Sequence, residues 1–216
     1  MKRTLQFLII IILLFSGSSL VWAEKFYPKD ESNKDASFLK FQGQLEKAIE
    51  KKDHVFILSI VDPNIKISFG DNGGIEGFKK EWQPEQPNSK LWKVLKKITA
   101  LGYAKERGTF TAPYHFDRFP DKYNPFQFAA ITGKSVNLRV QPSLKSQVVE
   151  VLSFDIVEVT DGRAIKAEGV TWLKIKSPNG EEGFVSDKFI QSPIGYRAGF
   201  EKMQDKWRMI FFIVGD

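Results

Sequence analysis

Phe38, Phe41, Leu45, Ala48 and Ile49 recur at spacings of three and four. That places them on one face of a helix ending near Lys52-Asp53. A dense apolar stretch over residues 55–61 stops at Asp62-Pro63-Asn64, which reads as a turn. Ile65, Ile67 and Phe69 then alternate with Lys66 and Ser68, the period of a half-buried strand. Beyond Gly70-Asp71-Asn72-Gly73-Gly74 a second helix is expected from Ile75 to Trp82. After Pro84 and Pro87, Leu91, Val94, Leu95 and Ile98 mark a third, with Lys93, Lys96 and Lys97 on its other face. Residues 103–128 crowd aromatic side chains among prolines and charges, a composition that favours strands and ordered loops. From Val136 onward only short alternating segments separated by turns remain, the pattern of a small all-β unit.

The end of the chain carries an architectural signal. Residues 196–202 and 207–214 flank Met203-Gln204-Asp205-Lys206 as the strands of a hairpin would. The second strand is apolar on both faces from Met209 onward and needs cover on both sides. A barrel of about 60 residues has little surface to offer it. The hairpin is therefore expected to return to the sheet of the N-terminal domain, which makes the all-β unit an insertion.

The beginning predicts an address. Met1-Lys2-Arg3 supplies a positive head, residues 7–15 are unbroken apolar, and Val21-Trp22-Ala23 has the residue types a signal peptidase reads. Residues 1–23 thus read as a signal peptide cleaved after Ala23. The apolar run is shorter than the roughly 20 residues a membrane-spanning helix needs. The expectation is an exported protein, periplasmic or secreted, with no stable membrane span after the signal is removed. Residues 24–36, charged and without apolar periodicity, read as a flexible lead.

The residue types then narrow the chemistry. No cysteine is present, which excludes disulfides, thiolate zinc sites and cysteine nucleophiles. The 32 basic and 26 acidic residues are interspersed, a balance too mild to imply nucleic acid. The two histidines lack metal-ligand spacing, so no metal or cofactor is expected. His54 falls at a helix end, where capping is the ordinary role. His115 lies in Tyr114-His115-Phe116-Asp117-Arg118; Tyr114, His115, Asp117 and Arg118 either line a pocket or pack as a polar and aromatic cluster. Residues 70–77 lack the lysine and hydroxyl of a P-loop and carry Asp71 and Glu76 where an anion would sit, so they read as a tight glycine turn. No carboxylate pair is marked for glycan cleavage.

Val136-Asn137-Leu138-Arg139-Val140-Gln141-Pro142-Ser143 resembles the opening of bacterial SH3 (SH3b) domains. Val148-Val149-Glu150-Val151-Leu152, Ile156-Val157-Glu158-Val159, Trp172-Leu173-Lys174-Ile175, the Pro178-Asn179-Gly180 turn and Gly183-Phe184-Val185-Ser186 match later segments in order. Gln141, where glycine is common, and the longer loop over residues 161–169 depart from the pattern. In such a barrel Val136, Leu138, Val149, Val151, Ile156, Val157 and Ile175 would point inward, with Lys174 and Glu158 facing water. Asn137 and Arg139 would fix the loop after the opening strand. The resemblance implies a groove for a cell-wall peptide or an envelope protein, with Trp172, Phe184, Phe189 and Phe154 as candidates, of which only a subset would be exposed. Residues 65–77, a strand and glycine turn leading into a helix, are similar to NTF2-like folds.

The expected fold class is an α+β N-terminal domain over residues 37–132, with helices packed on an antiparallel sheet and NTF2-like by resemblance. A bacterial SH3 barrel over 133–192 and a C-terminal hairpin over 193–216 complete it. The function expected is non-catalytic binding; a small-molecule or enzymatic pocket in the N-terminal domain, or an envelope scaffold, stand as alternatives.

Overall fold

The Asp35 carboxylate accepts the backbone N–H groups of Ser37 (2.8 Å) and Phe38 (3.2 Å) and so caps α1 (Ala36–Lys51), the helix that buries Phe38, Phe41, Leu45, Ala48 and Ile49. Asp53 caps α2 (His54–Ile60) through Phe56 N–H. The cap is thus Asp53, and His54 is the helix's first residue. The computed structural model describes residues 24–70 and 73–215. The signal peptide expected over residues 1–23 lies outside them, as do Asp71 and Asn72 of the glycine turn. No helix among the described residues is long and apolar enough to cross a membrane.

β1 (Val61–Lys66) runs through Asp62-Pro63-Asn64, which is strand rather than the expected turn. It lies at a sheet edge, where the missing N–H of Pro63 is tolerated. α3 (Gly74–Trp82) and α4 (Lys90–Thr99) follow; Ser89 caps α4, which buries Leu91, Trp92, Leu95 and Ile98. Then come β2 (Ala104–Glu106), β3 (Thr109–Ala112) and the single turn α5 (His115–Arg118).

The next seven strands form one sheet: β4 (Phe128–Ile131), β5 (Val136–Arg139), β6 (Val148–Leu152), β7 (Ile156–Ala167), β8 (Val170–Lys176), β9 (Glu182–Ser186) and β10 (Ile190–Gln191), in the order β10-β4-β7-β8-β9-β5-β6. β4 thus belongs to this sheet, and the expected boundary at residue 132 moves to before Phe128. The cause is local: Ala129 and Ile131 fill the barrel's core with Val136, Leu138, Leu152, Val157, Ile175, Val185 and Ile190. Val151, expected inward, is 56% exposed, and Leu152 takes the buried place. Leu152 pairs with the buried Val136, and neighbouring residues of a strand face opposite ways.

β11 (Arg197–Met203) and β12 (Lys206–Ile213) form a hairpin around Gln204 and Asp205, both at positive φ. They sit in a second sheet ordered β1-β12-β11-β3-β2. β3 and β11 are hydrogen-bonded neighbours although the whole barrel separates them in sequence. β1 and β12 pair in parallel, so this sheet is mixed and not purely antiparallel. No tight connection joins those two strands, and none imposes an antiparallel return. Gly199 crosses Phe211 so closely that a Cβ would stand 2.1 Å from its ring, which only glycine allows. The helices pack against this sheet around Phe38, whose ring lies parallel to Phe110 at 3.7 Å.

The lead over residues 24–36 is tied down, contrary to the flexible segment expected. Phe26 N–H donates to Phe154 C=O (2.7 Å), Lys25 pairs with Asp155, and Glu31 accepts Lys105 N–H (2.8 Å). Buried Asp155 and the partner-seeking N–H groups of the strand edges supply anchors that the lead's composition did not reveal.

Candidate functional site

Leu173, Ile175 and Val185 face the barrel core, so alternation along β8 and β9 puts Trp172, Lys174, Phe184 and Ser186 on the outer face. There Trp172 stands opposite Ser186 on one side and Ile165 on the other. It is nevertheless 1% exposed and belongs to neither buried cluster, and its indole N–H has no acceptor among the described residues. Trp172 is therefore not an accessible contact residue. The loop after β5 is pinned to the β7–β8 turn: Arg139 donates to Ser146 C=O (2.7 Å), and Glu168 accepts Ser143 Oγ (3.0 Å) and Leu144 N–H (3.3 Å).

The other three candidates divide. Phe184 is half-buried opposite Lys174. Phe154, half-buried at φ 58°, packs at a tilt against Tyr27 of the lead (4.7 Å between ring centres). Phe189 is 39% exposed, with the Lys188 ammonium 5.5 Å from its ring centre. Gly133 connects the last two, because its carbonyl accepts Phe154 N–H (3.2 Å) and a Cβ on it would meet the Phe189 ring at 3.7 Å. The structure thus brings Phe154 and Phe189 to one rim, while Trp172 and Phe184 sit on the β8–β9 ribbon.

Next to that ribbon a cleft of about 520 Å³ opens between the barrel and α4. The barrel supplies Gly169, Val170, Thr171 and residues 186–188; α4 and the chain after it supply Lys93, Lys96, Lys97, Ala100 and Leu101. Lys97 is the strut across it, donating to Asp187 C=O (2.9 Å) and Ile190 C=O (3.1 Å). Burial holds the Lys97 pKa below the ordinary lysine value, with neighbouring Lys93 adding to the fall and Asp187 opposing it. Lys93 and Lys96 are exposed and make no ion pair among the described residues.

The second set of candidates is a packing cluster and lines no part of this cleft. Tyr114 is 7% and His115 0% exposed, with Phe26 edge-on to the His115 ring at 5.1 Å. Neither His115 nitrogen has a hydrogen-bond partner among the described residues, and burial, helped by Lys97, pulls its pKa down to about 4. Burial raises the Asp117 carboxyl. Arg118 bridges Glu31 (3.1 Å) and Glu106 (3.4 Å) and donates to Lys105 C=O (2.7 Å). The Glu31 carboxyl is held at about 2: burial pushes it up, but the bonds from Lys105 N–H, Lys34 and Arg118 outweigh that. Aromatic neighbours that read as a pocket wall in sequence are here filled by Phe26 and, beside Phe116 (4.3 Å), by the buried Arg197.

The lysines of α4 and Lys188 escaped the sequence reading as site residues. Their placement on the polar face of the third helix was visible, but nothing in a single sequence says that the barrel lies against that face. Residues 134–191 match the family model of the bacterial SH3 domain. No curated protein matches the chain.

Proposed function

We propose that this is an exported, non-catalytic protein that binds a cell-wall peptide through the rim and cleft of its SH3 domain. A bacterial SH3 domain is a module for peptides and wall components, and the observation that carries the reading here is the exposed ring of Phe189 with Lys188, itself a residue of the cleft wall, over it. An aromatic platform beside an ammonium and a mostly apolar cleft suits an extended peptide. Export rests on the leader-like residues 1–23. The test is retention of residues 24–216 on purified peptidoglycan sacculi, with Phe189→Ala as the variant. Loss of retention by a folded Phe189→Ala protein supports the reading; no retention of the parent protein overturns it.

A second reading gives the α+β domain a small-molecule role, in line with the NTF2-like resemblance. It is favoured by a cleft of about 470 Å³ lined by Phe41, Phe56, Trp207, Lys40, Lys206 and Arg208. Its location beside β12 differs from the Tyr114 to Arg118 cluster expected from sequence. Thermal-shift titration with aromatic carboxylates against Lys206→Ala separates it from the first reading.

A further inference from the structure

We infer that α4 completes the peptide site and that its ligand is a short peptide carrying closely spaced free carboxylates. This rests on the peptide-binding reading above and adds the chemical class. The barrel alone supplies only part of the cleft; the facing wall is the Lys93 and Lys96 side of α4, locked in place by the two Lys97 bonds to the barrel backbone. Lys93, Lys96 and Lys188 line the cleft with a single acid, Asp187, so it carries an excess of positive charge, although Lys96 also borders Glu46 and Glu50 on its other side. Its volume lies within the roughly 300–1,000 Å³ of small-ligand sites, enough for a few peptide residues and too little for a folded partner. Ala100, Leu101 and Val170 offer apolar contact, while Thr132, Thr171 and Ser186 offer hydroxyls for backbone amides. Ammonium groups at this partly enclosed opening bind carboxylates more strongly than they would in open water.

Two arms test this with residues 24–216. In the first, sacculi with free carboxyls are compared with sacculi whose carboxyls have been converted to amides. Retention on the free form, cut at least tenfold by amidation or by Lys93→Gln with Lys96→Gln and restored by the two arginine substitutions, is the expected result. Retention that depends on Phe189 but ignores amidation and both lysines overturns the inference and leaves the peptide-binding reading standing. In the second arm, acetyl-Ala-Glu-Ala-Glu-amide and its glutamine counterpart are titrated while backbone amide NMR signals are followed. Saturable shifts at residues 169–171 and 186–188 with the glutamate peptide, at least fivefold weaker with glutamine, support the inference even where sacculi are not retained. Equal response to both peptides, or none at those amides, overturns it.

Discussion

The two buried clusters are built from different side chains. The α+β core is aromatic, with Phe38, Phe41, Phe78, Trp82, Trp92, Tyr103, Phe110, Phe200, Trp207 and Phe212 among its members. The barrel core contains Ala, Ile, Val and Leu and no ring. In the first domain a buried aromatic residue is therefore structural filling, as the Phe38–Phe110 stack shows, while Phe69 stands exposed. In the barrel every ring lies outside the core cluster, and a ring that is also exposed has no packing role to explain it. The same residue type carries opposite meanings in the two halves, and only the architecture tells them apart.

The largest effect expected from this contrast is on stability. Phe38→Ala removes a fully buried ring that contacts Phe41, Tyr103, Phe110, Phe200 and Trp207, and should cost about 3–5 kcal/mol. Urea unfolding followed by far-UV circular dichroism measures it. Trp172→Ala should fall in the same range despite its place on the barrel's outer face, because it is 1% exposed. A loss below about 1 kcal/mol at Trp172 would mean the ring is a surface group, within the usual range of surface substitutions.

This contrast also marks how far the sequence could be read. Periodicity located α1 and α4, because each presents its apolar residues at helical spacing to one core, and α3 was expected after the glycine turn. It also identified the hairpin strands, since β12 is apolar on both faces. It misread Asp62-Pro63-Asn64, whose turn chemistry is overridden by an edge position in the sheet, and Val151, where one residue of register reverses the face. Trp172 was beyond reach for the same kind of reason: alternation gives a strand residue its face, but which loop covers that face is a tertiary fact. The cleft was hidden more deeply, since its walls lie about seventy to ninety residues apart, from Lys97 to Gly169 and Asp187.

A smaller effect is expected at the junction of β11 and β12, which ties the sequence-distant ends of the α+β sheet together. Gly199→Ala would place a methyl group 2.1 Å from the Phe211 ring. The ring or strand must shift, at a cost of about 1–3 kcal/mol. The barrel should be spared at intermediate urea if its aliphatic core holds independently, and NMR signals of Ile175 and Val185 report on that. Simultaneous loss of both cores would show that β3 and β11, the paired strands that flank the insertion, make it and its host one cooperative unit.

Acid should separate the domains as well. His115 has a folded pKa near 4 against an ordinary 6.5. The unfolded chain therefore binds the proton first, and this contribution to stability is complete above about pH 6.5 and lost as pH falls towards 4. Glu31, at about 2 against 4.5, has the same sign in a lower window: its contribution is present above pH 4.5 and lost as pH falls towards 2. Both lie in the α+β half. In the barrel, Asp161 and Glu182 are lowered by bonds from Arg163 and Lys174, but these pairs are at the surface and contribute little. Urea midpoints across a pH series should flatten between 6.5 and 4 in His115→Phe, and between 4.5 and 2 in Glu31→Gln.

The smallest stability effect is expected at a residue proposed to bind. Phe189 is 39% exposed, lies near Gly133 on the rim, and keeps its backbone bond to Thr132 N–H whatever its side chain. Phe189→Ala should change stability by less than about 1 kcal/mol, while retention on sacculi falls several-fold. The pairing of those two measurements is what distinguishes a binding ring from a packing ring. A Phe38→Ala protein that loses retention does so by unfolding, whereas a Phe189→Ala protein that keeps its urea midpoint can lose it only at the surface. If Phe189→Ala instead shifts the midpoint as far as Trp172→Ala does, the rim is part of the barrel's fold, and the contrast between an aromatic core in one half and aromatic surface in the other no longer locates the site.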